Sequence, residues 1–131
     1  MGEKALVENL ITDAVGLVQK LDERGTPPTF AAWYYYDDAE EWRLLVAVPK
    51  LDTLLPKQEA VAYQKVIEAL TESSPTMLGI SYLKLVATNY PLLKALKFLV
   101  GTGPTGIARV HCKDCTMNGI FIKEVIILRS A

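Results

Sequence analysis

Lys113-Asp114-Cys115-Thr116-Met117-Asn118-Gly119-Ile120-Phe121-Ile122-Lys123-Glu124 is the stretch that orients the rest of the chain. Asn-Gly offers the two consecutive positive-φ residues that a type I′ turn needs, so it predicts a hairpin closing at Asn118-Gly119. Pairing Met117 with Ile120 then sets Thr116 against Phe121 and Cys115 against Ile122. It also sets Asp114 against Lys123 and Lys113 against Glu124, two opposite-charge pairs that cross-strand packing favours. The charges agree with a register chosen from the turn alone. The whole hairpin is predicted to span Ile107 to Arg129.

Moving toward the N-terminus, Asn89 and Pro91 suit a helix start, and Gly101 follows Val100 as a stop. Within it Leu92, Leu93, Leu96 and Leu99 face a core while Lys94 and Lys97 face out. Met77 to Ala87 reads as a long strand, and Lys57 to Glu72 as a helix with Val61, Val66, Ile67, Ala69 and Leu70 as its apolar stripe. Thr29 to Tyr36 and Trp42 to Val48 are aromatic and β-branched, and they predict a second hairpin around the polar connector Asp37 to Glu41. Ala5 to Leu21 is an amphipathic helix ended by Gly25 and Pro27-Pro28, with Glu8, Asp13, Gln19 and Lys20 on its polar side. The expected fold is α+β: one antiparallel sheet of about five strands with three helices, in the order αββαβαββ. The strand Met77 to Ala87 is placed between the two hairpins.

At 131 residues, half of them hydrophobic and 22% charged, the chain fits one compact domain over 1–131 and excludes a disordered or collagen-like polymer. Its net charge of -1 gives no general affinity for nucleic acid, which is not expected as a partner. Neither a basic n-region before an apolar run nor a long uncharged apolar segment is present, so a cytoplasmic location off the membrane is expected. Two cysteines without an export signal suit a reducing compartment.

His111-Cys112-Lys113-Asp114-Cys115 is the first chemical candidate, since two thiols and an imidazole are zinc-ligand types. C-x-x-C is also a redox spacing, although a redox pair would want a helix N-terminus after a strand. In a regular strand, however, residues three apart point to opposite faces, and their α-carbons are roughly 10 Å apart. That predicts two free structural cysteines, with no metal and no disulfide. His111 has Arg109 and Lys113 as same-face neighbours and no acid placed to orient it, so no catalytic residue is assigned. Gly101-Thr102-Gly103-Pro104-Thr105-Gly106 spells G-x-G-x-x-G, but a helix precedes it and a strand follows, the reverse of the dinucleotide arrangement. No cofactor is expected.

Charge is segregated. Residues 1–48 carry four basic and nine acidic side chains, and residues 49–131 carry ten and six. Lys84, Lys94, Lys97, Arg109 and Lys113 lie in an acid-free stretch from Ser73 to Lys113, a candidate anion-binding region. Trp33, Tyr34, Tyr35, Tyr36 and Trp42 make both faces of the first hairpin aromatic, which marks a candidate surface for a protein partner.

Ala31-Ala32-Trp33-Tyr34-Tyr35-Tyr36-Asp37-Asp38-Ala39-Glu40-Glu41-Trp42-Arg43-Leu44-Leu45-Val46-Ala47-Val48-Pro49, followed by a helix and an Asn-Gly hairpin, resembles small uncharacterised bacterial α+β proteins. The resemblance implies a compact fold and no assigned activity. The expected function is a non-enzymatic protein-interaction module, acting as a homodimer or with another protein. The alternative is a small enzyme or a nucleotide- or anion-binding protein using the region from Gly101 to Lys113.

Overall fold

The computed structural model describes residue 6 and residues 8–131; residues 5 and 7 of the first expected helix lie outside the described residues. Helix α1 (Glu8–Glu23) buries Leu10, Ala14, Leu17 and Leu21 on one stripe, as their spacing dictates. It ends where the Thr26 N–H reaches back to the Leu21 carbonyl at 3.0 Å, with Gly25 at φ 79. Strands β1 (Phe30–Tyr36) and β2 (Glu41–Ala47) pair from Phe30↔Ala47 to Tyr36↔Glu41. A short 3-10 segment (Pro49–Leu54) leads to α2 (Glu59–Glu72). A second 3-10 segment (Ile80–Tyr82) precedes β3 (Leu83–Val86), and α3 (Pro91–Leu96), β4 (Val110–Met117) and β5 (Ile120–Ser130) follow.

The α+β class and the single five-stranded sheet are as expected, but its order is β3-β2-β1-β5-β4 and it is mixed. Strand β3 lies at the outer edge, parallel to β2, while β1 pairs antiparallel with β5 and joins the two hairpins directly. The physical reason is the helix between β2 and β3. A connection that long crosses over the sheet and returns a parallel strand. Helical segments exceed the expected three, because two 3-10 turns accompany the three α-helices among the described residues.

Three further boundaries differ. Only Leu83–Val86 of the expected strand Met77 to Ala87 is extended, because Asp13 captures the loop before it. Its Oδ2 accepts the N–H groups of Thr76, Met77 and Leu78 at 3.0, 2.7 and 3.0 Å. Asp13 is therefore buried at 9% exposure, not on a solvated face. Helix α3 stops at Leu96 instead of Val100, with Tyr90 rather than Asn89 at its N-cap. On α2, Ala62, Val66, Ala69 and Leu70 are the buried stripe, and Val61 turns to solvent.

Both faces of the sheet are covered, unequally. α1 and α2 pack on one face over Trp33, Tyr35, Trp42, Leu44 and Val46. The other face, with Phe30, Tyr34, Leu45, Val125 and Ile127, is covered by the six-residue α3 and the turn after it. Arg129 is fully buried at the seam, and all its donors are engaged. It binds Asp22 through two arms at 2.7 and 2.9 Å, Gly106 O at 2.9 Å, Thr105 O at 3.0 Å and Pro28 O at 3.3 Å. The total surface of 6873 Å² is close to the roughly 6,900 Å² expected of a compact monomer of this mass.

Candidate functional site

The C-terminal hairpin carries the largest departure from the sequence reading. Asn118 and Gly119 both have positive φ, 52 and 78, and the register is the one derived from the turn. The ladder runs from Val110↔Ile127 to Lys113↔Glu124 and resumes at Cys115↔Ile122. Between them Asp114 takes φ 52, and its carboxylate lies 3.5 Å from Lys123 Nζ. Across this point the inward positions change parity on both strands: Cys112, Cys115, Ile122 and Val125 all pack on the second core. The premise of strict alternation therefore fails. Cys112 and Cys115 share a face, their α-carbons are 6.6 Å apart, and they are joined as a disulfide. The expected free thiols on opposite faces are corrected accordingly.

His111 is also better partnered than its local sequence suggested. Its Nε2 lies 2.5 Å from Glu124 Oε2, reached diagonally across the β4–β5 ladder. Beside it Arg109 forms a two-armed ion pair with Glu8. That hydrogen bond holds the Glu8 carboxyl below its ordinary value despite some desolvation, and raises the Arg109 guanidinium. The four side chains line a pocket of about 300 Å³ between α1 and the hairpin. Tertiary pairing to α1 and across the ladder supplies the acids that local reading did not find.

The candidate anion-binding residues are not gathered into one site. Arg109 is committed to Glu8, and Lys84 lines a trench along β3. Lys94 rides on α3, and Lys97 is its C-cap. The glycine-rich loop is likewise a structural device. The Thr102 N–H donates to Ser130 O at 2.8 Å, and the Thr102 hydroxyl accepts the Ser130 N–H at 3.0 Å. Gly103 sits at φ 80, and a Cβ on Gly106 would lie 2.2 Å from the Thr102 carbonyl oxygen. The two glycines permit a tight loop, and Arg129 binds its carbonyls.

Of the aromatic residues expected at a partner surface, Trp33, Tyr34, Tyr35 and Trp42 are core side chains and Tyr36 is partly exposed. Alternation does send Trp33 and Tyr35 to one face and Tyr34 and Tyr36 to the other, but both faces are covered. Tyr36 lines the trench, a cavity of about 400 Å³ that shares Glu59, Lys84 and Leu85 with a neighbouring cavity of about 550 Å³. Lys84 Nζ stands 5.3 Å from the Tyr36 ring centre and 5.9 Å from that of Tyr90. Burial, reinforced by Tyr90 and Tyr34, pushes the Tyr36 phenol well above its ordinary value. Its hydroxyl is buried beside Tyr90.

The edges and flanks complete the inventory. On β3 the Leu85 N–H is taken by the Tyr63 hydroxyl at 2.9 Å. Just beyond that strand, Asp52 accepts from both the N–H and the hydroxyl of Thr88. β4 is broken at Asp114 and bridged by its cysteines. Neither edge is a straight, open template for another strand. Flanking α3, Phe98 is 68% exposed and Phe121 56% exposed, and Phe121 shares a pocket with Leu92 and the acidic tip Asp37-Asp38. Among the described residues no helix is long and apolar enough to cross a membrane. In comparisons with known proteins, no family model, curated protein or solved structure matches this chain.

Proposed function

We propose that the protein is a non-enzymatic interaction module that associates with a second copy of itself through the surface flanking α3. The observation that carries this reading is the exposure of Phe98, just past α3, and of Phe121, which shares a pocket with Leu92 of α3. Scattered exposed aliphatic side chains are ordinary, but two mostly exposed phenylalanines beside one short helix favour a contact. Association through side chains also fits the two protected sheet edges. Lys94 and Lys97 on one copy and Asp37, Asp38 and Glu40 on the other supply complementary charge. Because the single chain already has a compact monomer's surface, the contact is non-obligate and depends on concentration.

Sedimentation equilibrium across a range of micromolar concentrations tests this. The expected result is a reversible approach to twice 14.5 kDa, weakened roughly tenfold or more by Phe98→Glu, since truncating or charging a buried aromatic anchor costs about 2 kcal/mol. A monomer at every concentration refutes the proposal.

A second reading, binding of a small anionic ligand, is favoured by the buried Tyr36 hydroxyl and by Lys84, which line the β3 trench together. A thermal-shift screen with carboxylates and phosphates separates the two readings. A ligand present at 100 times its dissociation constant adds about 2.7 kcal/mol of stability, and Lys84→Met should abolish that shift.

A further inference from the structure

Cys112 and Cys115 are joined in a strand where the bond is not needed to hold the sheet together. They are three residues apart in one strand, and ladder pairs lie on both sides of them, from Val110↔Ile127 to Met117↔Ile120. The bond closes only a very short loop and connects no distant elements, so its contribution through the unfolded chain is at the small end of the range. Both cysteines are half-buried rather than enclosed, on an edge strand whose next residues outward, Lys113 and Asp114, are exposed. A thiolate can approach such a bond. The ring also coincides with Asp114 at φ 52, the residue whose left-handed conformation puts both sulfurs on one face.

We propose that Cys112 and Cys115 are a reversible dithiol–disulfide couple that exchanges with glutathione-type thiols and disulfides, and that left-handed Asp114 sets the closure. In the oxidising direction, one cysteine thiolate attacks a glutathione disulfide and expels one glutathione thiolate. The second cysteine then attacks the mixed disulfide, forms the Cys112–Cys115 bond and expels the second. The two cysteines lose two electrons and two protons in total, and one glutathione disulfide becomes two glutathiones.

The full chain is equilibrated in graded mixtures of reduced and oxidised glutathione, quenched in acid, alkylated and weighed intact. The expected result is a single transition in which both cysteines change together, while far-ultraviolet circular dichroism stays constant. Cys115→Ser should instead accumulate a glutathione adduct on Cys112. A bond that resists excess glutathione until the protein is denatured overturns the proposal, as do two free thiols in excess oxidised glutathione. For the Asp114 role, Asp114→Gly should leave the couple closed. Asp114→Val disfavours positive φ and should shift the equilibrium toward the dithiol by roughly 5-fold to 30-fold. An unchanged equilibrium in Asp114→Val removes Asp114 from the mechanism.

Discussion

Changing Asp13 to Ala removes one acceptor that serves four donors. Oδ2 receives the N–H groups of Thr76, Met77 and Leu78 at 3.0, 2.7 and 3.0 Å, and the Thr76 hydroxyl lies 3.3 Å from both carboxylate oxygens. A hydrogen bond to a charged group contributes about 1.5–3 kcal/mol, but these share a single carboxylate and are not additive. Thr76 and Met77 are exposed, so water replaces the lost acceptor there, whereas Leu78 is buried and its N–H is left unsatisfied. The expected cost is about 3 kcal/mol, one charged bond plus one desolvated donor. With an unfolding entropy of about 2.1 cal/mol/K per residue, a chain of 131 residues should lose roughly 11 °C in Tm.

Urea titration and calorimetry of Asp13→Ala beside the wild type measure this. A loss below about 1 kcal/mol would refute the role of the carboxylate as the loop's anchor. The effect also has a signature in pH. Burial alone raises the Asp13 pKa, but the N–H groups of Met77, Leu78 and Thr76 outweigh it and the net shift is downward. The stabilisation is therefore complete above the unfolded value of about 3.9 and disappears as pH falls through the lower folded value. The gap between wild type and variant should close in that acid range. A gap that stays constant from neutrality to strong acid would contradict the same reasoning.

Arg129→Lys keeps the charge but cannot satisfy Asp22 and three carbonyls together, and should cost about 3–5 kcal/mol in urea unfolding with an unchanged slope. Gly106→Ala places a methyl 2.2 Å from the Thr102 carbonyl oxygen and should destabilise by about 1–3 kcal/mol; a neutral outcome by calorimetry would mean the loop yields freely. Spectrophotometric titration should show Tyr34 and Tyr36 ionising above the ordinary value, chiefly through burial. Because their folded pKa values are raised, the stability they contribute is intact below about pH 10 and declines above it. Tyr36→Phe should remove one late-titrating group from the alkaline curve.

What the sequence disclosed was mostly local. The Asn118-Gly119 turn fixed the register of a whole hairpin, since both positive-φ residues and both charge pairs reside in a few consecutive positions. The stripes of α1, and the alternation that splits Trp33 and Tyr35 from Tyr34 and Tyr36, were equally legible. Features requiring two distant segments were not. Nothing near Asp13 hints that residues 76–78 will surround its carboxylate, and nothing near Arg109 points to Glu8. The parallel β2–β3 pairing was available in principle, because a helix between two strands implies a crossover; counting hairpins concealed it. The face reversal at Asp114 hinges on one residue with positive φ, which Asp tolerates without advertising it. The candidate surface was the least legible, because alternation splits the aromatic residues between two faces but does not say that the short α3 covers the second.

The interior place of β5, between β1 and the edge strand β4, has a consequence for how the chain is made. Synthesis produces β1, β2 and β3 first, and for nearly a hundred residues β1 has no neighbour on its inner side, until residues 120–130 follow. A nascent chain thus carries a bare hydrophobic strand in the middle of its future sheet, with both flanking side-chain layers incomplete. Pairings so far apart in sequence close slowly, and an unpaired strand is a template for other chains in the meantime. Productive folding is then a race between arrival of the last hairpin and intermolecular pairing. Chaperone demand and inclusion-body formation should track conditions that delay that hairpin, more than the stability of the finished protein.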